Sequence, residues 1–139
     1  MNMKFFITTL ALCGALSGCE TTPISSELAK PVPPDRVITQ MPESATNMVK
    51  LVVTRDEGLL GAGLRTRLLF DGKSVAILGV GETHTFYTPA GEHIAAIVPE
   101  PSFGASLREY EVTARAGKVG RYRITMGSDG PRFQPTLTP

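Results

Sequence analysis

From Asn47 onward the chain is interrupted about every ten residues by Gly, Pro or Asp-Gly, and the stretches between are short runs rich in Val, Ile, Leu, Thr, Phe and Tyr. This spacing constrains the fold more than any other feature. A helix needs a longer stretch with apolar residues on one face, and no segment carries that period over a useful length. Strands need only short runs bounded by turn residues. The expected fold is all-β: a small antiparallel β-sandwich of about seven strands, Greek-key-like. Its strands are predicted at about 48–55, 64–70, 73–78, 82–87, 92–98, 106–115 and 118–126.

Two of the interruptions predict hairpins. Asp71-Gly72 separates Leu68-Leu69-Phe70 from Val75-Ala76-Ile77, and a type I′ turn requires positive φ at both central residues, which Asp-Gly accommodates. Leu68 is expected opposite Val75, both in the core. Ala116-Gly117-Lys118 predicts a second hairpin with Val112 opposite Tyr122, Tyr110 opposite Ile124 and Glu111 opposite Arg123. That single register puts apolar side chains on one face and a complementary charge pair on the other.

Ahead of the β-rich region, residues 1–18 carry Lys4, an apolar stretch from Phe5 to Leu16, and the small residues Ser17 and Gly18. This is the order of a secretory signal, too short to span a bilayer comfortably as a helix. Leu16-Ser17-Gly18-Cys19 resembles the lipobox of bacterial lipoproteins. The resemblance implies cleavage before Cys19, diacylglycerol on its thiol, and attachment to a membrane through two or three acyl chains, enough for stable anchoring. The alternative is an ordinary signal peptide with a chance cysteine beside its cleavage site. Glu20 stands where enteric lipoproteins retained at the inner membrane carry Asp, so outer-membrane sorting is expected, with the domain facing the periplasm. Cys13 leaves with the signal and Cys19 is consumed by lipid, which leaves no disulfide, thiol nucleophile or cysteine metal site.

Residues 19–46 hold Pro23, Pro31, Pro33, Pro34 and Pro42 among Ser, Thr and scattered charges. They are expected to form a disordered, extended tether that lifts the domain at 47–127 off the bilayer. In the tail at 128–139, prolines exclude a central strand and leave a short edge strand or a loose segment. Removing residues 1–18 from the 139 leaves 121, one small domain, with thirteen basic and thirteen acidic side chains. A net charge near zero argues against nucleic acid as a partner and against a polybasic grip on anionic lipid.

Several motifs, taken in order, resemble a family of bacterial lipoproteins related to PEGA-type β-sandwich domains. They are Leu51-Val52-Val53-Thr54-Arg55, Leu69-Phe70-Asp71-Gly72-Lys73, Thr88-Pro89-Ala90-Gly91-Glu92-His93 and Ala116-Gly117-Lys118. The resemblance covers roughly residues 48–126. It implies an exported, lipid-anchored sandwich serving as a binding or scaffolding module, with His93 bonding its own turn, and it brings no catalytic residues. Gly120 departs from it, standing where such domains often place a bulky residue.

Candidate sites are few. Gly58-Leu59-Leu60-Gly61-Ala62-Gly63 is glycine-rich but lacks the Gly-Lys-Ser/Thr ending of a phosphate loop. Leu59 and Leu60 either cover the end of the core or contact a partner. Arg65 and Arg67 alternate onto one strand face, as do Arg121 and Arg123; both pairs are either a solvated face balanced by Glu109 and Glu111 or a basic patch for an anionic partner. His84 and His93 flank one turn, but a metal site would need Glu82 or Glu92 as well, in a register the turn does not set. No metal or cofactor is expected. Ser102, Ser106 and Ser128 have no evident base, so no enzyme is expected either.

The reading that follows is a lipid-anchored, non-catalytic binding or scaffolding β-domain with an envelope protein partner, an accessory of a secretion or surface-appendage assembly. The alternative is an inhibitor or immunity lipoprotein that plugs a periplasmic hydrolase with the loop at 57–64 or 99–105. A carbohydrate binder is disfavoured, because the chain has no Trp to stack on sugars.

Overall fold

The computed structural model describes residues 21–40 and 46–139. Among them the strands are β1 (Lys30–Pro31), β2 (Met48–Arg55), β3 (Arg65–Phe70), β4 (Lys73–Leu78), β5 (Glu82–Pro89), β6 (Gly91–Glu100), β7 (Arg108–Ala114), β8 (Gly120–Gly127) and β9 (Gly130–Pro135). A single 3-10 turn spans Pro34–Arg36. The strands form two sheets, β1-β5-β2-β8-β9 and β4-β3-β6-β7, packed face to face as a β-sandwich. Neighbours are antiparallel except β1 with β5 and β2 with β8.

Alternation along each strand builds the core. Thr66, Leu68 and Phe70 of β3 face inward, while Arg65 is exposed and Arg67 half-buried on the other face. Val49, Leu51 and Val53 of β2 meet Phe70, Phe86, Ile97, Val112, Ile124 and Phe133 in one cluster. Phe70 and Phe86 touch edge to face, with ring centroids 5.1 Å apart. Each such side chain contributes about 1.5–3 kcal/mol by leaving water.

The seven predicted strands all form, each within two residues of its expected ends. Asp71 and Gly72, at φ 48° and 76°, make the expected hairpin. Its register differs by one: a bulge places Leu68 opposite Ala76 and Leu69 opposite Ser74, so Val75 is the extra residue and not the partner of Leu68. The bulge keeps Leu68, Val75 and Ala76 all buried.

The second hairpin does not form. Strand β7 pairs with β6, His93 opposite Val112 and Ala95 opposite Tyr110, whereas β8 lies in the other sheet between β2 and β9. The turn at Gly117 therefore carries the chain across the sandwich, and Glu111 has no contact with Arg123 as a ladder partner. Val112 and Ile124 still face one core, now from opposing sheets. Inward alternation is the same whichever strand lies alongside, so the pattern could not select the partner. Tyr110 and Tyr122 meet through Phe133 instead, at 5.7 and 4.9 Å between ring centroids.

The expected tether is corrected over residues 21–40, which form a strap bound to the sandwich. Thr22 bridges to Glu57, with N–H to O distances of 2.7 and 3.0 Å in the two directions. The next residues cross the outer face of the five-stranded sheet, where Val52, Thr54 and Asp56 are buried. β1 then extends that sheet beside β5, and Val32 enters the core. Past the 3-10 turn, Val37 bridges to Ala76 and the N–H groups of Ile38 and Thr39 donate to the Val75 carbonyl. One segment thus covers the open edges of both sheets on one side, an arrangement that blocks edge-to-edge pairing. Its apolar residues Ala29, Val32 and Val37 dock one at a time without periodicity, which is why the segment reads as a linker. The tail likewise adds β9, an edge strand where Pro131 and Pro135 are tolerated and Phe133 is buried, while Leu137 is fully exposed.

Candidate functional site

Arg55 closes β2 on the inward-facing side, in line with Leu51 and Val53, and is buried to 2 % exposure. Its guanidinium donates to the carbonyls of Leu64, Gly61 and Leu78 at 2.6, 2.9 and 3.1 Å. These bonds fold the 56–64 connection over one end of the sandwich. Burial pushes the Arg55 guanidinium below its ordinary range, opposed by the charge of Glu82; an arginine remains a cation regardless.

Asp56 points the other way, to the outer face, and pairs with Arg123 through Nε at 3.1 Å and through a second bond from Nη2. The Thr21 hydroxyl donates to the same oxygen at 3.4 Å. Burial pushes the Asp56 carboxyl above its usual value, with Arg123, Thr21 and the Ile24 N–H pulling back. Its Oδ1 has no hydrogen-bond partner among the described residues. A cavity of about 10 Å³ beside it is lined by strap residues Ile24 and Ser26 and by Thr54, Tyr122 and Arg123.

The residues singled out in the sequence are distributed differently from expectation. Leu59 is 95 % exposed at a loop tip, whereas Leu60 is half-buried, so the pair divides between the two roles considered for it. Arg121 and Arg123 do not form a free basic patch: the strap lies over them, Arg121 donating to the Ser26 hydroxyl at 3.0 Å and Arg123 bound to Asp56. Arg65 and Arg67 lie in the opposite sheet, Arg67 paired with Glu100 at 2.8 Å. His84 and His93 belong to different sheets. His93 bonds the Pro89 carbonyl at 2.8 Å and Asp71 at 2.7 Å, tying two turns together, while His84 stacks on Phe86. Among the described residues no group of three potential ligands could hold a metal ion.

At the far end of the sandwich from Arg55, a groove of about 480 Å³ opens between β7 and the β8–β9 pair. Tyr122 lines it, and Arg115 and Lys118 project from the neighbouring turn, with Glu111 and Thr113 on the β7 side. Burial raises the Tyr122 hydroxyl above its ordinary value, and the Arg115 charge counters this. Among the described residues no carboxylate pairs with Arg115, Lys118 or Arg121. Among the described residues β7 is the last strand of its sheet, and its outer edge has no ladder partner. Such an edge, with cations beside it, can add an extended segment as a further strand and meet its carboxylates.

No family model matches the chain, and no curated protein matches it either.

The roles of the buried Arg55 and Asp56 and of the half-buried pair Arg36 and Glu82 escaped the sequence reading, in which Glu82 figured only as a conceivable metal ligand. One signal was available: Arg55 occupies the inward register of an otherwise apolar strand, which calls for a buried guanidinium with partners supplied by the backbone.

Proposed function

We propose that the chain is an outer-membrane lipoprotein, anchored through lipid on Cys19, whose β-sandwich is a non-catalytic binding or scaffolding domain for an envelope protein. The lipobox-like Leu16-Ser17-Gly18-Cys19 supports the anchor. The single observation that supports the binding role is the groove beside the edge of β7, where among the described residues Arg115 and Lys118 have no acidic partners. Its chemistry suits an extended, acidic segment of a partner. Several polar side chains elsewhere hold loops and strap: Arg55 on three carbonyls, Asp56 on Arg123, Glu82 on Arg36.

Labelling of growing cells with a tagged palmitate, followed by fractionation, tests the anchor. Label is expected on the native chain and absent from Cys19→Ala, which should leave the membrane fraction as a folded domain. A Cys19→Ala chain that remains membrane-bound until detergent is added would overturn the anchor. Photocrosslinkers at Thr113 and Lys118 test the groove: one dominant envelope protein is expected, and a smear equal to that from Ala90 would remove the binding role.

A further inference from the structure

Four connections gather at the end of the sandwich where Arg55 is buried: 56–64, 79–81, 101–107 and 128–129. Two of them are long, and both present large apolar side chains to solvent. Leu59 is 95 % exposed, Phe103 83 % and Leu107 44 %. Neither loop carries a charge from Gly58 to Leu64 or from Pro101 to Leu107. Glu57 and Asp129, also in the connections at this end, lie outside those two stretches, and the turns at the opposite end carry Asp71, Lys73, Glu92, Arg115 and Lys118.

Both loops are held in shape by their own backbone. The N–H of Ala62 donates to Leu59 and that of Leu64 to Gly61, at 3.1 and 3.0 Å, beneath the grip of Arg55. Ala105 N–H donates to the Ser102 carbonyl at 2.7 Å, closing a turn whose central residues Phe103 and Gly104 have φ of 45° and 81°. A bulky aromatic in the left-handed region is strained, and here no burial within the domain offsets the strain.

The strap enters at this same end. Thr21 contacts Asp56, Gly58 and Met126, and it is only two residues from Cys19, a covalent reach of about 7 Å. An acyl chain on Cys19 therefore brings this end, and not the groove beside β7, against the bilayer.

We infer that the uncharged loops 58–64 and 101–107 form a membrane-facing surface whose Leu59 and Phe103 seat in the headgroup–acyl boundary beside the lipidated Cys19. This rests on the lipid anchor proposed above. Apolar loop tips without charges suit that depth, where burial of charge is disfavoured and each apolar side chain adds to the grip of the lipid. The orientation directs the groove beside β7 away from the membrane, toward partners.

The chain has no Trp, so single substitutions report on position without background. The full-length lipidated chain bearing Leu59→Trp, Phe103→Trp, Ala90→Trp or Lys118→Trp is reconstituted into phosphatidylethanolamine–phosphatidylglycerol vesicles containing dibrominated phosphatidylcholine. Flotation and the intact mass of the N-terminal peptide establish anchoring in each sample. The expected result is a loss of roughly half the emission from positions 59 and 103, as for groups in the interface, with little change from 90 and 118. Flotation with positions 59 and 103 no more quenched than 90 and 118 would overturn the inference while leaving the anchor intact, and would point to a protein against these loops. Absence of flotation together with an unacylated Cys19 would overturn both.

Discussion

Arg36 and Glu82, 46 residues apart in sequence, form a bidentate ion pair with Nη1–Oε2 at 2.7 Å and Nη2–Oε1 at 2.5 Å. Arg36 also donates to the Ile77 carbonyl at 3.0 Å, and Glu82 accepts the Gly79 N–H at 2.6 Å. The pair fastens the strap to the start of β5 and to the end of β4.

Glu82 makes strap docking sensitive to acid. Burial pushes its carboxyl up, but Arg36, the Gly79 N–H and Arg65 outweigh this and hold it below the ordinary value of 4.5. A depressed carboxylate stabilises the fold above its unfolded value, and that stability is lost as pH falls through the lowered folded value. Glu82→Gln should cost about 1–3 kcal/mol at pH 7. Urea midpoints of the variant and the native chain should converge below pH 4; parallel curves would exclude Glu82 as the responsible group.

His84 gives a second acid response. Burial alone pushes its imidazole below 6.5, and its Nε2 is buried without a partner among the described residues. The neutral ring is favoured in the fold, so stability should decline as pH drops below 6.5 toward the lowered folded value. His84→Leu should flatten thermal stability between pH 6.5 and 5 and gain up to about 1 kcal/mol at neutral pH. An unchanged slope would assign that decline to other groups.

Arg55→Met removes the donor to three carbonyls at the end of the sandwich where the 56–64 connection folds over the core. Buried acceptors left without partners should make it one of the most costly single substitutions, at about 3 kcal/mol or more. Hydrogen exchange should accelerate first at Ala62 and Leu64, which lie in the loop that Arg55 holds. Arg55→Lys should recover only part of the loss, since an ammonium lacks the planar fork. Full recovery by Lys would show that charge, and not geometry, is what the loop requires.

Gly120 marks a close approach between β2 and β8. A Cβ there would lie 2.4 Å from Leu51 Cδ2 and 3.3 Å from the Tyr122 ring. Gly120→Ala should destabilise by about 1–3 kcal/mol through overpacking. Leu51→Val removes the obstructing carbon, so the double variant should be more stable than the sum of the two single losses predicts. Strict additivity in chemical denaturation would show that the contact is relieved elsewhere.

Local chemistry in the sequence determined the fold class, the strand positions and the Asp71-Gly72 turn, because alternation and positive-φ turn residues act over a few neighbours. The Leu16–Cys19 motif lies outside the described residues and remains a statement of sequence alone. Only the tertiary structure decided which strands are neighbours: Val112 and Ile124 satisfy the same core from opposing sheets as they would from one hairpin. It also converted residues 21–40 from a tether into a strap, because Ala29, Val32 and Val37 dock singly and the other contacts are backbone hydrogen bonds to open sheet edges and isolated side-chain pairs such as Arg36 with Glu82. The backbone bonds carry no side-chain signature, and the pairs join residues far apart in sequence. Arg121 and Arg123 show the same limit: their strand face was readable, but what covers that face comes from a segment nearly a hundred residues away. The placement of Leu59 and Phe103 at the end where the chain leads back to Cys19 was equally invisible, since it depends on where loops of different strands converge.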